Sequence, residues 1–433
     1  MTRIDDLPAA LSAGGVERSW SSRDRPARSP GDQGPSLGPL ATWLGQAHVV
    51  GSLIFGFGVL FDVLPPATAL VLLLPAFGCV LLAPKELVHR AQVSVPLLAL
   101  LAWMGLSWGW SVNPGETALR LWTGLLPVLA LLAVAAVMRL EDLASAVRWS
   151  VRITILLIVF ALVTRPAARI SGSDEFLVVG WRGTFPDKNS MALYLVFAIV
   201  ATLAFDRRLS RAATIGTIAV LLIGSQSATG LSAAIFSLLL WAWLGLLRRG
   251  PLRQSALLVL SSLGTGLVVA AVVVTNLTAI LEIYGKDADL TGRTDIWAAV
   301  ARAVAERPFN GYGLGALLNS TAPSAKTYEL WRQIGFEAVH AHNGALDLLG
   351  QLGAVGLASY VVVVWATARV AIRRLRSTPR AAAFVLVMLS AQLVMSVSEN
   401  VYLGPWLLVL ALLQAPMLRP IPAPPRSRTV ADQ

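Results

Sequence analysis

Histidines are the residues of this chain that are best suited to catalysis. The sequence contains four histidines, and His340 and His342 stand together in the stretch AVHAHNGALDLLGQLGAVGL. An imidazole titrates near pH ~6.5, so it suits a general base that takes a proton from a hydroxyl nucleophile. An H-x-H pair could also hold a metal, although a third histidine and a cysteine are missing from its surroundings. A histidine that merely caps the following helix is a further alternative.

Two short polar motifs hold cationic residues that could bind an anion. The motif WRGTFPDKN contains Arg182, Lys188 and Asn189, and the motif TGRTDIW contains Arg293. Glycine and proline in the first motif predict a turn, after which Asn189 is expected to cap a helix. Free backbone N–H groups at that helix start, beside Arg182 and Lys188, would form an anion site.

The residues after Arg293 have the spacing of an amphipathic helix. Apolar residues at 296, 297, 300, 301 and 304 share one face, so we expect this stretch to lie flat on a membrane and to stop at Pro308. The glycine-rich sequence NGYGLG follows. It resembles a phosphate-binding fingerprint, but no strand precedes it, and we interpret it as a tight turn.

The composition identifies the environment in which these residues must work. The chain has 433 residues, of which 56% are hydrophobic and 14% charged. Soluble domains carry about 25% charged residues, so an ordinary globular protein is excluded and a membrane protein is predicted. One cysteine, Cys79, lies in an apolar run, which excludes an intrachain disulfide and a cysteine-based metal cluster.

The hydropathy pattern predicts an all-α polytopic membrane protein with about twelve transmembrane helices. Residues 1–44 are rich in Ser, Pro, Gly and Arg and are expected to form a disordered tail, residues 45–418 to form the membrane domain, and residues 419–433 a second tail. The predicted spans are 46–64, 67–83, 93–111, 118–138, 147–164, 189–206, 212–228, 230–247, 255–281, 343–368, 381–398 and 401–418. The boundary near Gln226 is the weakest.

The distribution of basic residues predicts the topology. With both termini in the cytoplasm, the inner side receives 24 of the 35 Lys and Arg residues, as the positive-inside rule requires. The net charge of +11 is then a topology signal rather than a sign of nucleic-acid binding. Two periplasmic loops, 165–188 and 282–342, hold ten of the eleven basic residues that remain outside.

The basic residues on the outer side are exceptions to the positive-inside rule and need another explanation. Burying an arginine at a membrane interface costs several kcal/mol unless an anion or a carboxylate pairs with its charge. The clustering of Arg182, Arg293, Lys188 and Arg120, the last at the outer end of the fourth helix, predicts an anionic ligand on that face. Pairing with local acids or with lipid phosphates is the alternative for any one of them.

The same segments resemble the O-antigen ligases and the related exopolysaccharide and O-antigen polymerases. His342, Asn343, Gly353 and Gly356 fit the ligase motif of His, then Asn, Ser or Gln, nine residues, Gly, two residues and Gly. In ligases a threonine often follows the second glycine, whereas this chain has Leu357, which weakens the choice of a ligase over a polymerase. The stretch RGTFPDKN resembles an element of the polymerases, and TGRTDIW with ERPFNGYGLG is similar to the start of the family's large periplasmic loop.

The resemblance implies a fold, a reaction and a set of site residues. The fold would be GT-C-like, and the reaction would transfer a glycan from undecaprenyl diphosphate to an acceptor sugar hydroxyl, without metal or cofactor, at the periplasmic face of the bacterial inner membrane. His342 would be the general base, and Arg182 and Arg293 would bind the diphosphate. The residues expected to assist are Lys188, Asn189, Arg120, Asn343, His340, Gly353 and Gly356.

The sequence leaves the acceptor open. RGTFPDKN favours a polymerase, whose acceptor is another lipid-linked glycan, and the His342 motif favours a ligase, whose acceptor is lipid A-core. A transporter or flippase is a different possibility, but transporters place charges near the bilayer midplane and often contain repeats. A cell-wall glycan polymerase would depend on an outer aspartate such as Asp289 or Asp295.

Overall fold

The computed structural model describes residues 37–59, 71, 73–83, 94–171, 178–249, 292–319, 322–403 and 405–414. The regular secondary structure of these residues is almost entirely helical, as predicted. The exception is one short antiparallel pairing, in which Ile170 faces Val179 and Ser171 faces Val178. The predicted ninth span, 255–281, and Asp289 lie outside the described residues.

The described residues contain fourteen α-helices, numbered here in chain order. The first six are α1 (Pro39–Gly56), α2 (Leu73–Leu81), α3 (Val95–Leu106), α4 (Pro114–Arg120), α5 (Leu126–Val137) and α6 (Leu140–Thr164), with a π-turn at Leu121–Leu125 joining α4 to α5. After strands β1 (Ile170–Ser171) and β2 (Val178–Val179) come α7 (Lys188–Phe205), α8 (Arg208–Ser225) and α9 (Ala228–Arg249). The last five are α10 (Arg293–Glu306), α11 (Ala325–Ile334), α12 (Gly344–Arg374), α13 (Pro379–Met395) and α14 (Pro405–Gln414).

Two helix boundaries show how local sequence sets the elements. Helix α1 begins at Pro39, earlier than the predicted domain boundary at 45, because proline suits the first helical position, where its missing N–H costs nothing. Helices α8 and α9 are separated at Gln226, whose φ of 51° is left-handed and ends the helical hydrogen bonding. The predicted break between the seventh and eighth spans is therefore confirmed.

In the part of the chain that the structure describes, six helical segments are long and apolar enough to cross a membrane. They are Pro114–Val137, Leu140–Thr164, Lys188–Phe205, Arg208–Ser225, Ala228–Leu247 and Gly344–Arg374. Val95–Trp110 and Pro379–Met395 are shorter apolar helical segments. This set supports a polytopic membrane protein, and the count of twelve spans stays a prediction.

Helix α7 lies at the centre of the main hydrophobic core. Its residues from Met191 to Ala204 are all buried, and it packs against α6, α8, α9 and α13. A helix that is apolar on every side is buried in a protein core or in lipid, and here other helices surround it. The central position of α7 places its first turn, at Lys188 and Asn189, among the ends of neighbouring helices.

A second, smaller hydrophobic cluster is formed by buried residues between Ile296 and Ala341. Helices α10 and α11 contribute Ile296, Val300, Leu330 and Trp331, which pack with Leu317 and other buried residues. Helix α10 also packs against α12. It ends at Glu306, before Pro308, and buries one face against α11 and α12, which confirms the predicted helix and its end. Its placement flat on a membrane stays a prediction.

Candidate active site

Several helix ends meet at one buried carboxylate, that of Glu399. Glu399 lies in the turn that follows α13, and its side chain is 7% exposed. Asn189 comes from the first turn of α7, Arg293 is the first residue of α10, and His342 lies just before α12. We call Asn189, Arg293, His342 and Glu399 the Glu399 cluster.

The distances show that the four side chains form one network. Asn189 Nδ2 donates a 3.0 Å hydrogen bond to Glu399 Oε1, and Arg293 Nη2 lies 3.6 Å from the same oxygen. His342 Nδ1 lies 3.6 Å from the other oxygen, Oε2. Ser227 Oγ donates to Asn189 Oδ1 at 2.8 Å and fixes the orientation of the amide. A buried carboxylate needs such partners, because an unpaired charge would be costly.

His342 has a backbone conformation that few residues adopt. Its φ is 48°, which is left-handed, and it is one of two non-glycine residues with positive φ in the described chain. A left-handed backbone conformation costs free energy in a non-glycine residue, and such residues often occur at functional sites. The imidazole is 31% exposed, while its Nδ1 is shielded from solvent and makes no hydrogen bond within the described residues. The other ring nitrogen, Nε2, is the one left for a substrate proton.

His340 supports the ring of His342 rather than duplicating it. The two ring centroids are 4.0 Å apart, and the backbone N–H of His342 donates to His340 Nδ1 at 3.2 Å. His340 therefore carries its own proton on Nε2 when neutral. Burial, and then the charges of His342 and Arg293, lower the pKa of His340 to about 3. His340 consequently stays neutral at physiological pH.

The capping residues of α7 and α12 differ from those expected. Asp187, not Asn189, caps α7, because its carboxylate accepts the N–H of Ser190 at 2.9 Å. The prediction for Asn189 as a cap is therefore wrong, and its amide is used in the Glu399 cluster. At α12 the cap is Asn343, whose Oδ1 accepts the N–H groups of Ala345 and Leu346. The alternative of a capping histidine is excluded for α12.

Helix α12 is interrupted at Gly353, which explains the first glycine of the predicted motif. Gly353 has φ 65° and ψ −170°, so the helix is broken there. The main-chain groups freed by the break bond elsewhere: the carbonyl oxygens of 350, 351 and 352 accept from Tyr312, Gly313 and Trp103, and the N–H groups of 354 and 355 donate to residues 308 and 309. The NGYGLG sequence lies along this break as an irregular turn, as predicted.

Alanine at position 353 is expected to destabilise the protein strongly. A Cβ there would lie 2.2 Å from the carbonyl carbon and oxygen of Phe309, and φ 65° is strained for any side chain. Strain and backbone overlap together predict a loss of roughly 3 kcal/mol or more. A thermal-unfolding series in detergent should show the loss for Gly353→Ala. Gly105→Ala, where a Cβ meets nothing within 4 Å, is the matched control and should keep or raise the midpoint.

Gly356 allows close packing within the same helix. A Cβ at this position would lie 2.2 Å from Cβ of Leu352, the residue just before the break. The altered backbone at Gly353 brings these two residues together, so the second glycine of the motif follows from the first. Both glycines therefore shape the helix that begins beside His342.

The remaining predicted cations lie in different surroundings. Arg182 donates to the carbonyl oxygens of Ala167 and Phe185, which belong to the segment before α7. Lys188 is the first residue of α7, adjacent to Asn189. Arg120 pairs with Glu116 at 2.6 Å and is 57% exposed, packed beside Gly315. Of the predicted cations, Arg293 is the one that the contacts place in the Glu399 cluster.

One group of side chains has the donor types of a metal site. The ligand atoms of His340, His342 and Glu399 lie within 4.8 Å of one another. Two features of the group oppose a cation: the Arg293 guanidinium pairs with the same carboxylate, and His340 Nδ1 already accepts a hydrogen bond. A metal ion bound there would have to displace both contacts.

Glu399 is the residue of this candidate site that the sequence analysis did not predict. It lies in SVSENVYLG, a short polar interruption between two apolar runs. An acid in that position is a usable signal, because buried carboxylates near membrane spans are rare and usually paired. This signal marks Glu399 as a residue of interest, but it does not identify the partners of Glu399, because they come from segments far away in the chain.

Comparison with known proteins agrees with the motifs. Residues 212–361 match the family model described as O-Antigen ligase. The chain is also 26% identical over 270 residues to a protein named "Exopolysaccharide production protein ExoQ" from Rhizobium meliloti (strain 1021). That alignment covers 59% of this chain and 60% of the relative, so the chain spans less than two thirds of that protein's length. The expected resemblance is confirmed, with His342 and Arg293 inside the matched residues.

Proposed function

We propose a specific reaction for this chain, on the basis of its similarity to the O-antigen ligases and to an exopolysaccharide production protein. It transfers a glycan from undecaprenyl diphosphate to a sugar hydroxyl on the periplasmic face of the bacterial inner membrane, in the manner of an exopolysaccharide or O-antigen polymerase. The observation that supports this proposal best is the convergence of His342, Arg293 and Asn189 on Glu399. Both termini would lie in the cytoplasm, and no metal, nucleotide or nucleic acid would take part.

His342 would act on the acceptor. Its Nε2 takes the proton of the acceptor hydroxyl as the hydroxyl oxygen forms a bond to the anomeric carbon of the donor glycan. The bond from that carbon to the diphosphate oxygen breaks, and the diphosphate leaves with the electron pair. The imidazolium formed on His342 faces Glu399 Oε2, 3.6 Å away, which stabilises its charge.

Arg293 would act on the leaving group. Charge develops on the diphosphate oxygens as the glycosidic bond breaks, and a guanidinium already in place stabilises that charge without reorganisation. Arg293 presents five N–H donors, and its side chain is 23% exposed, so it is held by the Glu399 cluster and still reaches the surface. Arg182, Lys188 and Arg120 are proposed to extend the cationic surface for the donor.

Glu399→Gln is expected to lower kcat by about 10- to 100-fold with a smaller change in KM. The amide keeps the shape and one acceptor for Asn189, but it cannot stabilise an imidazolium at His342, which is formed only during the reaction. Steady-state kinetics on the purified variant test this. An unchanged kcat would exclude Glu399 from the proposed role. Glu337→Gln, at an exposed position in the loop before His342, is the matched control.

A reconstitution experiment separates the polymerase from the ligase. Purified protein in liposomes would receive undecaprenyl-diphosphate-linked repeat units, with and without lipid A-core, in buffer containing a chelator. A ladder of products without core supports the polymerase, and a single core-dependent product supports the ligase, which the description of the matched family favours. Movement of the lipid-linked glycan across the bilayer without a covalent product would replace both with a flippase.

A further inference from the structure

Two turns must keep a fixed spacing for the Glu399 cluster to exist. One turn carries His342 before α12, and the other carries Glu399 after α13. His342 holds a strained backbone conformation, with φ 48°, and its Nδ1 is 3.6 Å from Glu399 without a hydrogen bond. The direct contact between the two side chains is therefore too weak to set the spacing, and other groups must do so.

Asp347 joins the two turns through one buried carboxylate. Its side chain lies in the first turn of α12, and the residue is 5% exposed. Oδ1 accepts the N–H of Ala341, the residue before His342, at 3.0 Å. Oδ2 accepts a hydrogen bond from the side-chain amide of Asn400, the residue after Glu399. One carboxylate thus holds the neighbours of both cluster residues.

The chemistry of this contact requires a carboxylate. Asp347 receives a third donor, Gln351 Nε2, at 3.3 Å from Oδ2, and Gln351 Oε1 in turn accepts the N–H of Gly315 at 2.7 Å. An ionised carboxylate has only acceptor sites, so it matches three donors at once. A side-chain amide in its place has one acceptor oxygen, so its N–H₂ group would face at least one of the three donors and that hydrogen bond would be lost.

We propose that Asp347 is a positioning residue of the Glu399 cluster, acting with Asn400 to hold the turn of His342 against the turn of Glu399. This inference rests on the proposed function for its kinetic consequence, although the spacing itself can be measured without activity. Asp347 does not touch the reacting atoms in this scheme. It fixes where the base and its carboxylate partner meet.

Kinetics of three variants test the proposal. Asp347→Asn is expected to lower kcat by about 10²-fold, the cost of a displacement near 1 Å at a reacting group, with KM changed less than about threefold. The exchanged pair Asp347→Asn with Asn400→Asp restores an amide-to-carboxylate contact between the turns but removes the acceptor of the Gln351 amide, so it should recover a part of the lost kcat. Glu337→Gln, exposed in the same loop, is the control.

A distance measurement gives a readout that is independent of activity. Spin labels would be attached at Val339→Cys and Val397→Cys, which are 49% and 64% exposed and lie in or beside the two turns, while the native Cys79 is buried. A narrow distance distribution is expected with Asp347 and Asn400 in place, a broad one in Asp347→Asn, and a narrow one again in the exchanged pair. Asn400→Ala should also broaden it, and this variant decides the question if Asp347→Asn does not accumulate.

Each result has a defined meaning. A narrow distribution in Asp347→Asn or Asn400→Ala, or a kcat within threefold of wild type, overturns the positioning role. An exchanged pair that unfolds at the wild-type temperature but stays as slow as Asp347→Asn also overturns it. If the wild-type protein forms no product with any lipid-linked donor, the proposed function fails, and the label distances alone then decide the role of Asp347.

Discussion

Replacement of His342 by asparagine is expected to lower product formation by about 10³-fold while the protein still folds and inserts. A positioned general base typically contributes about 10²- to 10⁴-fold to the rate, and asparagine cannot supply one. Asparagine is the informative choice because it tolerates the left-handed conformation that His342 adopts at φ 48°. His342→Ala removes the same base and should be as slow, but it adds backbone strain.

The measurement is the rate of glycan transfer from a lipid-linked donor, with thermal unfolding recorded on the same samples. The matched control is Asp295→Asn, an exposed residue on α10, two positions after Arg293. A fully active His342→Asn variant would remove the histidine from the proposed site. Sensitivity at Asp295 with tolerance at His342 would favour the cell-wall glycan polymerase described above.

Arg293→Ala is expected to lower kcat/KM by about 10²- to 10³-fold. This is the loss of rate expected when one fixed hydrogen-bond donor to a developing oxyanion is removed from a partly buried site. Arg293→Lys should recover only part of it, because an ammonium group cannot present the two parallel N–H bonds of a guanidinium to a phosphate. Arg302→Ala is the control on the same helix, where Arg302 is exposed and donates to Gln333.

A double variant separates two explanations for Arg293. If the guanidinium only neutralises Glu399, removing both charges in Arg293→Ala with Glu399→Gln should restore the activity to the level of Glu399→Gln alone, since no unpaired carboxylate remains. If Arg293 binds the departing diphosphate, the double variant should be at least as slow as Arg293→Ala. Kinetics of the four proteins give the coupling free energy, and restored activity would contradict the proposed role.

Local features of this protein could be predicted from sequence because they depend on neighbouring residues. The amphipathic pattern after Arg293 gave a helix ending before Pro308, and the polar stretch near Gln226 gave the separation of α8 from α9. The importance of His342, with two glycines at fixed spacing, was visible as a motif. In the structure these glycines shape α12, and their function is conformational.

The Glu399 cluster could not be predicted because its members come from distant parts of the chain. Asn189 and Glu399 are 210 positions apart and form a hydrogen bond. Capping preferences are also too similar to decide between adjacent candidates: Asp187 and Asn189 are both good helix caps, and the tertiary contact with Glu399 uses the second one. Pairings of this kind follow from helix packing, for which the sequence gives no local signal.

The break at Gly353 has a consequence for how the chain is made. Lipid offers no partner to a free N–H or C=O group, so an interrupted span is stable only when other protein groups fill the gap. The groups that do so belong to Trp103 and to residues 308–313, all of which precede α12 and leave the ribosome before it. Co-translational insertion of α12 therefore meets partners that already exist, and a deletion of 308–313 should leave this helix exposed to membrane quality control and degradation.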